Sequence, residues 1–156
     1  MQSINDFFRG GIVFMKVAIG CDHAGFEYKE KLKVWLVEHG YGCEDVGAFS
    51  LESVDYPIYA KAVCHKVVSK EVDFGILLCG TGIGMSIAAN KVKGIRAAAC
   101  ADIKSAELTR QHNDANVLCM GAQIIGFITA REIVKTFLSN SFVSGKHKVR
   151  LDMLEN

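Results

Sequence analysis

Proline is almost absent: Pro57 is the single one in 156 residues. Pro-rich linkers, Gly/Ser-rich stretches, low-complexity segments and internal repeats are missing, so nothing marks a second domain. Neither charge is in excess. Lys and Arg number 18 against 17 Asp and Glu, a formal net charge of +1, and the two signs are interspersed. This gives no basic footprint for nucleic acid and no acidic tail. No apolar run approaches the length of a membrane span. The run near the start is broken by Lys16 with no charged segment before it, which argues against a signal peptide, and Ala18-Ile19-Gly20-Cys21 lacks the uninterrupted upstream segment of a lipoprotein site. Six cysteines are present, but none are close-spaced and no C-x-x-C occurs, the usage expected of reduced thiols in the cytoplasm. Partners are therefore to be sought at a local site.

What is present is a regular alternation. Val17 to Cys21 reads as a first strand, and Phe26 to His39 as a helix with Leu32, Trp35 and Leu36 on its apolar side and Gly40 as its stop. Cys43 to Val46 is a second strand. A polar loop from Gly47 to Asp55 leads to Pro57, where a helix begins, and Ile58 to Lys70 follows. Phe74 to Cys79, Ile95 to Cys100 and Val117 to Met120 are three more strands, followed in turn by helices over Ser86 to Val92, Ser105 to His112 and Thr129 to Leu138. Five such pairs predict an α/β fold with a parallel sheet covered on both faces. The length suffices for one core without metal or disulfide help. Met15 reads as a natural start, with residues 1–14 as a disordered or loosely packed extension.

The chain is organised around Asp73 to Lys91. Phe74 to Cys79 has the apolar continuity of a strand buried on both faces, and it leaves through Gly80, Gly82 and Gly84 into a helix. Unpaired backbone N–H groups converge at such a corner and favour negative charge. Cys79 stands at the strand's carboxyl end facing those amides. Two readings are open for it: a thiolate stabilised for use as base or nucleophile, or a buried thiol acting as a small hydrophobe. A dinucleotide fingerprint needs G-x-G-x-x-G, but the third glycine arrives one residue early and Met85 stands in its place. The Walker lysine and its following hydroxyl are absent. A purely structural glycine turn explains the glycines but not Cys79 and Thr81.

In parallel α/β sheets ligands bind beyond the carboxyl ends of the strands. On that rule the first strand delivers Cys21, Asp22 and His23, the third delivers Cys79, Gly80 and Thr81, and the fourth delivers Asp102. Arg110-Gln111-His112-Asn113-Asp114 ends the fourth helix, on the opposite rim. His112 is there either a histidine satisfied by the helix dipole or a donor to a neighbouring subunit's pocket. The tail gathers Lys146, His147, Lys148 and Arg150, read either as solvated surface or as a grip for a phosphate dianion.

Gly20-Cys21-Asp22-His23-Ala24-Gly25, Asp55-Tyr56-Pro57, Cys79-Gly80-Thr81-Gly82-Ile83-Gly84, Ala88-Ala89-Asn90-Lys91, Arg110 to Val117 and the basic tail together resemble the ribose-5-phosphate isomerase B family, which includes galactose-6-phosphate isomerase subunits. The resemblance covers essentially everything from Lys16 onward, in the family's order. It implies a five-stranded Rossmann-like three-layer sandwich over residues 15–156, a single sugar-phosphate isomerase domain that dimerises or forms tetramers with sites shared between subunits. It also implies aldose–ketose isomerisation through an enediolate, in the pentose phosphate pathway, with no metal or organic cofactor. No nucleic acid or membrane partner is expected.

By the same resemblance Cys79 is the base that takes the C2 proton, and Thr81 assists proton movement between oxygens. Amides from Gly80 through Gly82, Ile83 and Gly84, with Ser86, hold the enediolate oxygen. His112 protonates the ring oxygen and Asn113 orients the sugar, while Asp22, His23 and Tyr56 line the pocket and Lys146 and Arg150 grip the phosphate. Some family members lack the cysteine and carry a glutamate at the position of Met85, so this chain is of the cysteine type. Two departures stand out: Lys146 replaces the usual first arginine of the tail, and Gln123 stands where an arginine is common. Ribose 5-phosphate is the expected substrate; a hexose 6-phosphate of allose or galactose type, or a non-catalytic phosphosugar-binding role, is the alternative.

Overall fold

The computed structural model describes residues 15–155; the extension expected over residues 1–14 lies outside them. Five strands, β1 (Lys16–Cys21), β2 (Gly42–Asp45), β3 (Phe74–Cys79), β4 (Ala97–Ala99) and β5 (Val117–Gly121), form one sheet in the order β2-β1-β3-β5-β4. Every pairing is parallel. Helices α1 (Phe26–Glu38), α2 (Tyr56–Val68), α3 (Ile83–Asn90), α4 (Ile103–Asn113), α5 (Phe127–Ser139) and α6 (Lys146–Glu155) complete the described chain. Among the described residues no helix is long and apolar enough to cross a membrane.

The period of two along each strand assigns its side chains to the two layers. Val17, Ile19, Ile76, Leu78, Leu118 and Met120 face α1, α4 and α5, where Leu32, Leu36, Ala106, Ile133 and Phe137 are buried against them. Ala18, Leu77, Cys79, Val117 and Cys119 face α2 and α3, packing with Val63, Val67, Met85 and Ala89. The three-layer expectation therefore holds, and the central strands are apolar throughout because both faces are covered. Each fully buried Leu, Ile or Phe side chain contributes about 1.5–3 kcal/mol by leaving water.

Most expected boundaries move by one to three residues, and three of the changes bear on the site. The second helix starts at Tyr56 with Pro57 in its first turn, and ends at Val68 rather than Lys70. Helix α3 begins at Ile83, so Gly84 and Met85 lie inside it, and Met85 is fully buried in the core. Strand β4 spans three residues instead of six. Asn90 caps the free edge of β4: its side-chain amide donates to Ala97 O and its side-chain carbonyl accepts from Ala97 N, both at 2.9 Å, where a further strand would pair. The basic tail, to which the sequence pattern assigns no element, forms the start of helix α6.

One buried charge went unread in the sequence. Lys29 on the inner face of α1 has no exposed surface, and its ammonium is held by both oxygens of Asp45 at 2.7 and 2.6 Å and by Glu30 at 3.0 Å. Asp45 Oδ1 also accepts Gly47 N–H at 2.9 Å, so this pair anchors the start of the loop leading to α2.

Candidate active site

Strand order reverses between β1 and β3, because the chain leaves β1 for β2 on one side and returns to place β3 on the other. In open α/β sheets such a reversal is where ligands bind, beyond the carboxyl ends of the strands. Cys21 is in register with Leu78, and Asp22 N–H donates to Leu78 O at 3.1 Å, which sets the acid directly beside the start of the glycine loop. Asp22 is 8% exposed, and its Oδ1 accepts N–H bonds from Ala24 at 2.9 Å and Gly25 at 3.2 Å. His23 follows in a short 3-10 turn, and its Nδ1 accepts the Val54 N–H at 3.3 Å. That bond leaves Nε2 as the ring's outward donor.

Cys79 ends β3, and its sulfur accepts the Gly82 N–H at 3.1 Å. Gly82 adopts φ of +78°, the left-handed region that favours glycine, as the loop turns from the strand end into the helix. The turn also passes so close to β5 that a Cβ on Gly121 would stand 2.5 Å from the Thr81 carbonyl carbon. Cys21 and Cys64 differ in kind: their thiols donate to the carbonyls of Ala48 and Ala89. Burial pushes both thiols up to about 12, and Cys43 and Cys100 up to about 11. Burial likewise raises the Cys119 thiol well above its ordinary value.

The rest of the loop is polar and open. Thr81 is exposed, its Oγ1 accepting the Ile83 N–H at 3.2 Å, and Ser86 Oγ donates to Ile83 O at 3.0 Å. The Tyr56 ring lies over Gly84, where an added Cβ would sit 2.9 Å from Cζ. Gly80 is covered in the same way by the Gln123 carboxamide, 2.8 Å from an added Cβ, and Gln123 N–H donates to Gly80 O at 3.0 Å. Thus Asp22, His23, Tyr56, Cys79, Gly80, Thr81, Gly82, Ile83, Gly84 and Ser86 share one rim.

Asp102 does not join them. Strand β5 lies between β3 and β4, and the Asp102 carboxylate caps α4 by accepting from Ser105 N–H at 2.8 Å and Ser105 Oγ at 2.6 Å.

His112, Asn113, Lys146 and Arg150 gather on the opposite rim, because α4 runs antiparallel to the strands. Arg110 fixes where α4 stops: it is 7% exposed, lies over the Phe74 ring, and donates to Asp114 Oδ1 at 2.8 Å and Ala115 O at 2.7 Å. Arg96 adds a bond to the Asn113 carbonyl at 2.9 Å and an ion pair to Glu155 at 2.8 Å, tying α4 to the end of α6. His147, at the start of α6, stacks face to face on His112, with centroids 4.2 Å apart and planes 8° from parallel. Sequence reading counted His147 only among the tail's cations. Its pairing with His112 joins two helices distant in the chain and had no local signal.

The family model described as Ribose/Galactose Isomerase matches residues 17–154. The chain belongs to this family. Ribose-5-phosphate isomerase B of Escherichia coli K12 is 48% identical over 139 residues, spanning 89% of this chain and 93% of that one. Galactose-6-phosphate isomerase subunit LacB of Clostridium acetobutylicum is 37% identical over 147 residues, spanning 91% and 85%. In three dimensions the ribose 5-phosphate isomerase of Thermotoga maritima matches with a TM-score of 0.89 and 52% identity, covering 90% of this chain and 97% of that structure. The Rossmann-like three-layer fold and the resemblance read from the motifs are thus both borne out.

Proposed function

We propose that this protein is an aldose–ketose isomerase interconverting D-ribose 5-phosphate and D-ribulose 5-phosphate. The observation that carries this reading is the Cys79 sulfur accepting the Gly82 amide inside an anion-favouring loop, in a chain 48% identical to a ribose-5-phosphate isomerase B. Greater similarity to that enzyme than to the galactose-6-phosphate isomerase subunit favours the pentose.

The chemistry needs a base at C2, donors for a developing oxyanion and an acid for ring opening. His112 gives a proton to the ring oxygen while the C1 hydroxyl releases its own proton to solvent and becomes the aldehyde, with Asn113 holding the sugar. The Cys79 thiolate then takes the proton from C2, and the electron pair moves through the C1–C2 bond to the carbonyl oxygen. Loop amides from Gly80 to Gly84 and the Ser86 hydroxyl receive that oxyanion. Thr81 passes the hydroxyl proton between O2 and O1, and Cys79 returns its proton to C1, giving the ketose. Asp22, His23 and Tyr56 line the sugar, and Lys146 and Arg150 neutralise the phosphate. No step consumes an external reductant, oxidant or group.

Within one copy the two halves lie on opposite rims, so the complete site combines Cys79 of one copy with His112 of another. Exposed Ile83 and Ile87 beside the glycine loop, 57% and 56% accessible, supply an apolar surface for that association. Ribose 5-phosphate assayed beside allose 6-phosphate and galactose 6-phosphate tests the substrate: preferential pentose turnover supports the reading, and turnover of a hexose alone overturns it. Mixing separately inactive C79A and H112A chains tests sharing. Dissociation and random reassociation restores about a quarter of wild-type activity if sites form between two copies, and none if they do not.

A further inference from the structure

The closest contact His112 makes with another aromatic ring is with His147. Four features of the chain hold the two rings together. Ser144 and Gly145 take left-handed conformations, φ of +58° and +62°, that turn the backbone into α6. Val143 N–H donates to the Gln111 carbonyl at 3.0 Å, pinning the segment before α6 to the last turn of α4, one residue from His112. Gln111 Nε2 adds a bond to Asn140 Oδ1 at 2.9 Å, and the Arg96–Glu155 ion pair closes the far end of α6. The parallel stack at 4.2 Å is therefore a built feature of two helices fixed at both ends.

We propose that His147 is a positioning residue for His112: its ring is the platform that fixes the plane of the His112 imidazole and receives it face-on when it carries the proton destined for the sugar. This rests on the isomerase reading of the site. The charged and titratable groups facing His147 are His112 from α4 and Lys146 and Arg150 from its own helix. Loss of hydration, then the nearness of His112, Lys146 and Arg150, lowers the His147 pKa from its ordinary value, so the platform stays neutral to lower pH. A neutral π face against an imidazolium is attractive, whereas two charged rings at this separation repel. The division of labour follows: His112 moves the proton, and His147 holds it in place without competing for it.

Two variants separate the ring from its titration. H147F keeps an aromatic face and cannot protonate; H147A removes the face. On cyclic ribose 5-phosphate, H147A is expected to lose about tenfold or more in kcat with a small change in KM, and H147F to recover most of that loss. An open-chain aldose phosphate analogue is expected to be insensitive to both. Equal losses in H147A and H147F, or a rise confined to KM in H147F, overturn the proposal, the latter because it would make His147 a direct contact to the phosphate. NMR titration of the His112 ring in the resting protein gives an independent reading. A midpoint that moves in H147A and stays in H147F supports the platform even if wild type fails to turn over ribose 5-phosphate, in which case the isomerase reading alone falls. A midpoint unmoved in H147A overturns the platform.

Discussion

The Gly82 amide donates to the Cys79 sulfur at 3.1 Å, in a turn where Gly82 itself is left-handed at φ +78°. That bond sets Cys79 apart from Cys21 and Cys64, whose thiols donate to the carbonyls of Ala48 and Ala89. Iodoacetamide near pH 8 should consume Cys79 before Cys21 or Cys64, with activity lost in parallel, and ribose 5-phosphate should slow both. Peptide mapping of the alkylated cysteine checks the order; modification of Cys21 or Cys64 first would contradict it.

Gly82→Ala tests the turn itself. A Cβ there would stand 2.8 Å from the Met120 carbonyl carbon and would hold an L residue in the left-handed region. A stability loss of about 1–3 kcal/mol is expected, read as a lower denaturant midpoint, with a larger proportional loss of kcat as the amide leaves the sulfur. Unchanged kcat in the folded variant would show that the bond is not used.

The opposite rim should divide by role. His112→Ala is expected to lose far more activity on cyclic ribose 5-phosphate than on an open-chain analogue. Arg150→Ala should chiefly raise KM, and Lys146→Arg, which restores a bidentate fork, should lower it. Steady-state kinetics on both substrates decides these, and an unchanged KM in Arg150→Ala would return the tail to solvated surface.

Asp45→Ala removes the main partner of a fully buried ammonium and should cost about 3–5 kcal/mol. It also carries a pH signature. Burial pushes the Asp45 carboxyl up, but hydrogen bonds from Lys29 and Lys33 outweigh it and hold the folded value below the usual carboxylate range. A depressed folded pKa gives stability that is present above the unfolded value, near 4, and is lost as pH falls through the folded value. Denaturant midpoints measured from about pH 6 to pH 2 should therefore fall less steeply in Asp45→Ala than in wild type.

The sequence made the middle of the sheet legible and its margins less so. Phe74 to Cys79 was bounded correctly because a strand buried on both faces must be apolar from end to end. Strand β4 is read too long from the sequence because Ile95 and Cys100 continue its apolar run beyond Ala97–Ala99. Helix α6 escaped notice since Val149, Met153 and Leu154 point outward and only Leu151 is buried. Lys29, on α1, escaped because its burial depends on Asp45, delivered by strand β2. For the site, the rule that ligands meet strand ends located Asp22, His23, Cys79 and Thr81, but it also admitted Asp102, which strand order separates from them. The stack of His112 on His147 required the fold.

The central claim, that Cys79 is the base of a ribose-5-phosphate isomerase, is met most directly by following ribose 5-phosphate to its ketose with wild type and Cys79→Ala side by side, in EDTA. The account predicts turnover by wild type and a loss of about a thousandfold in the variant, of the order expected for removal of a positioned base, with substrate still bound. Near-normal turnover in Cys79→Ala would contradict it.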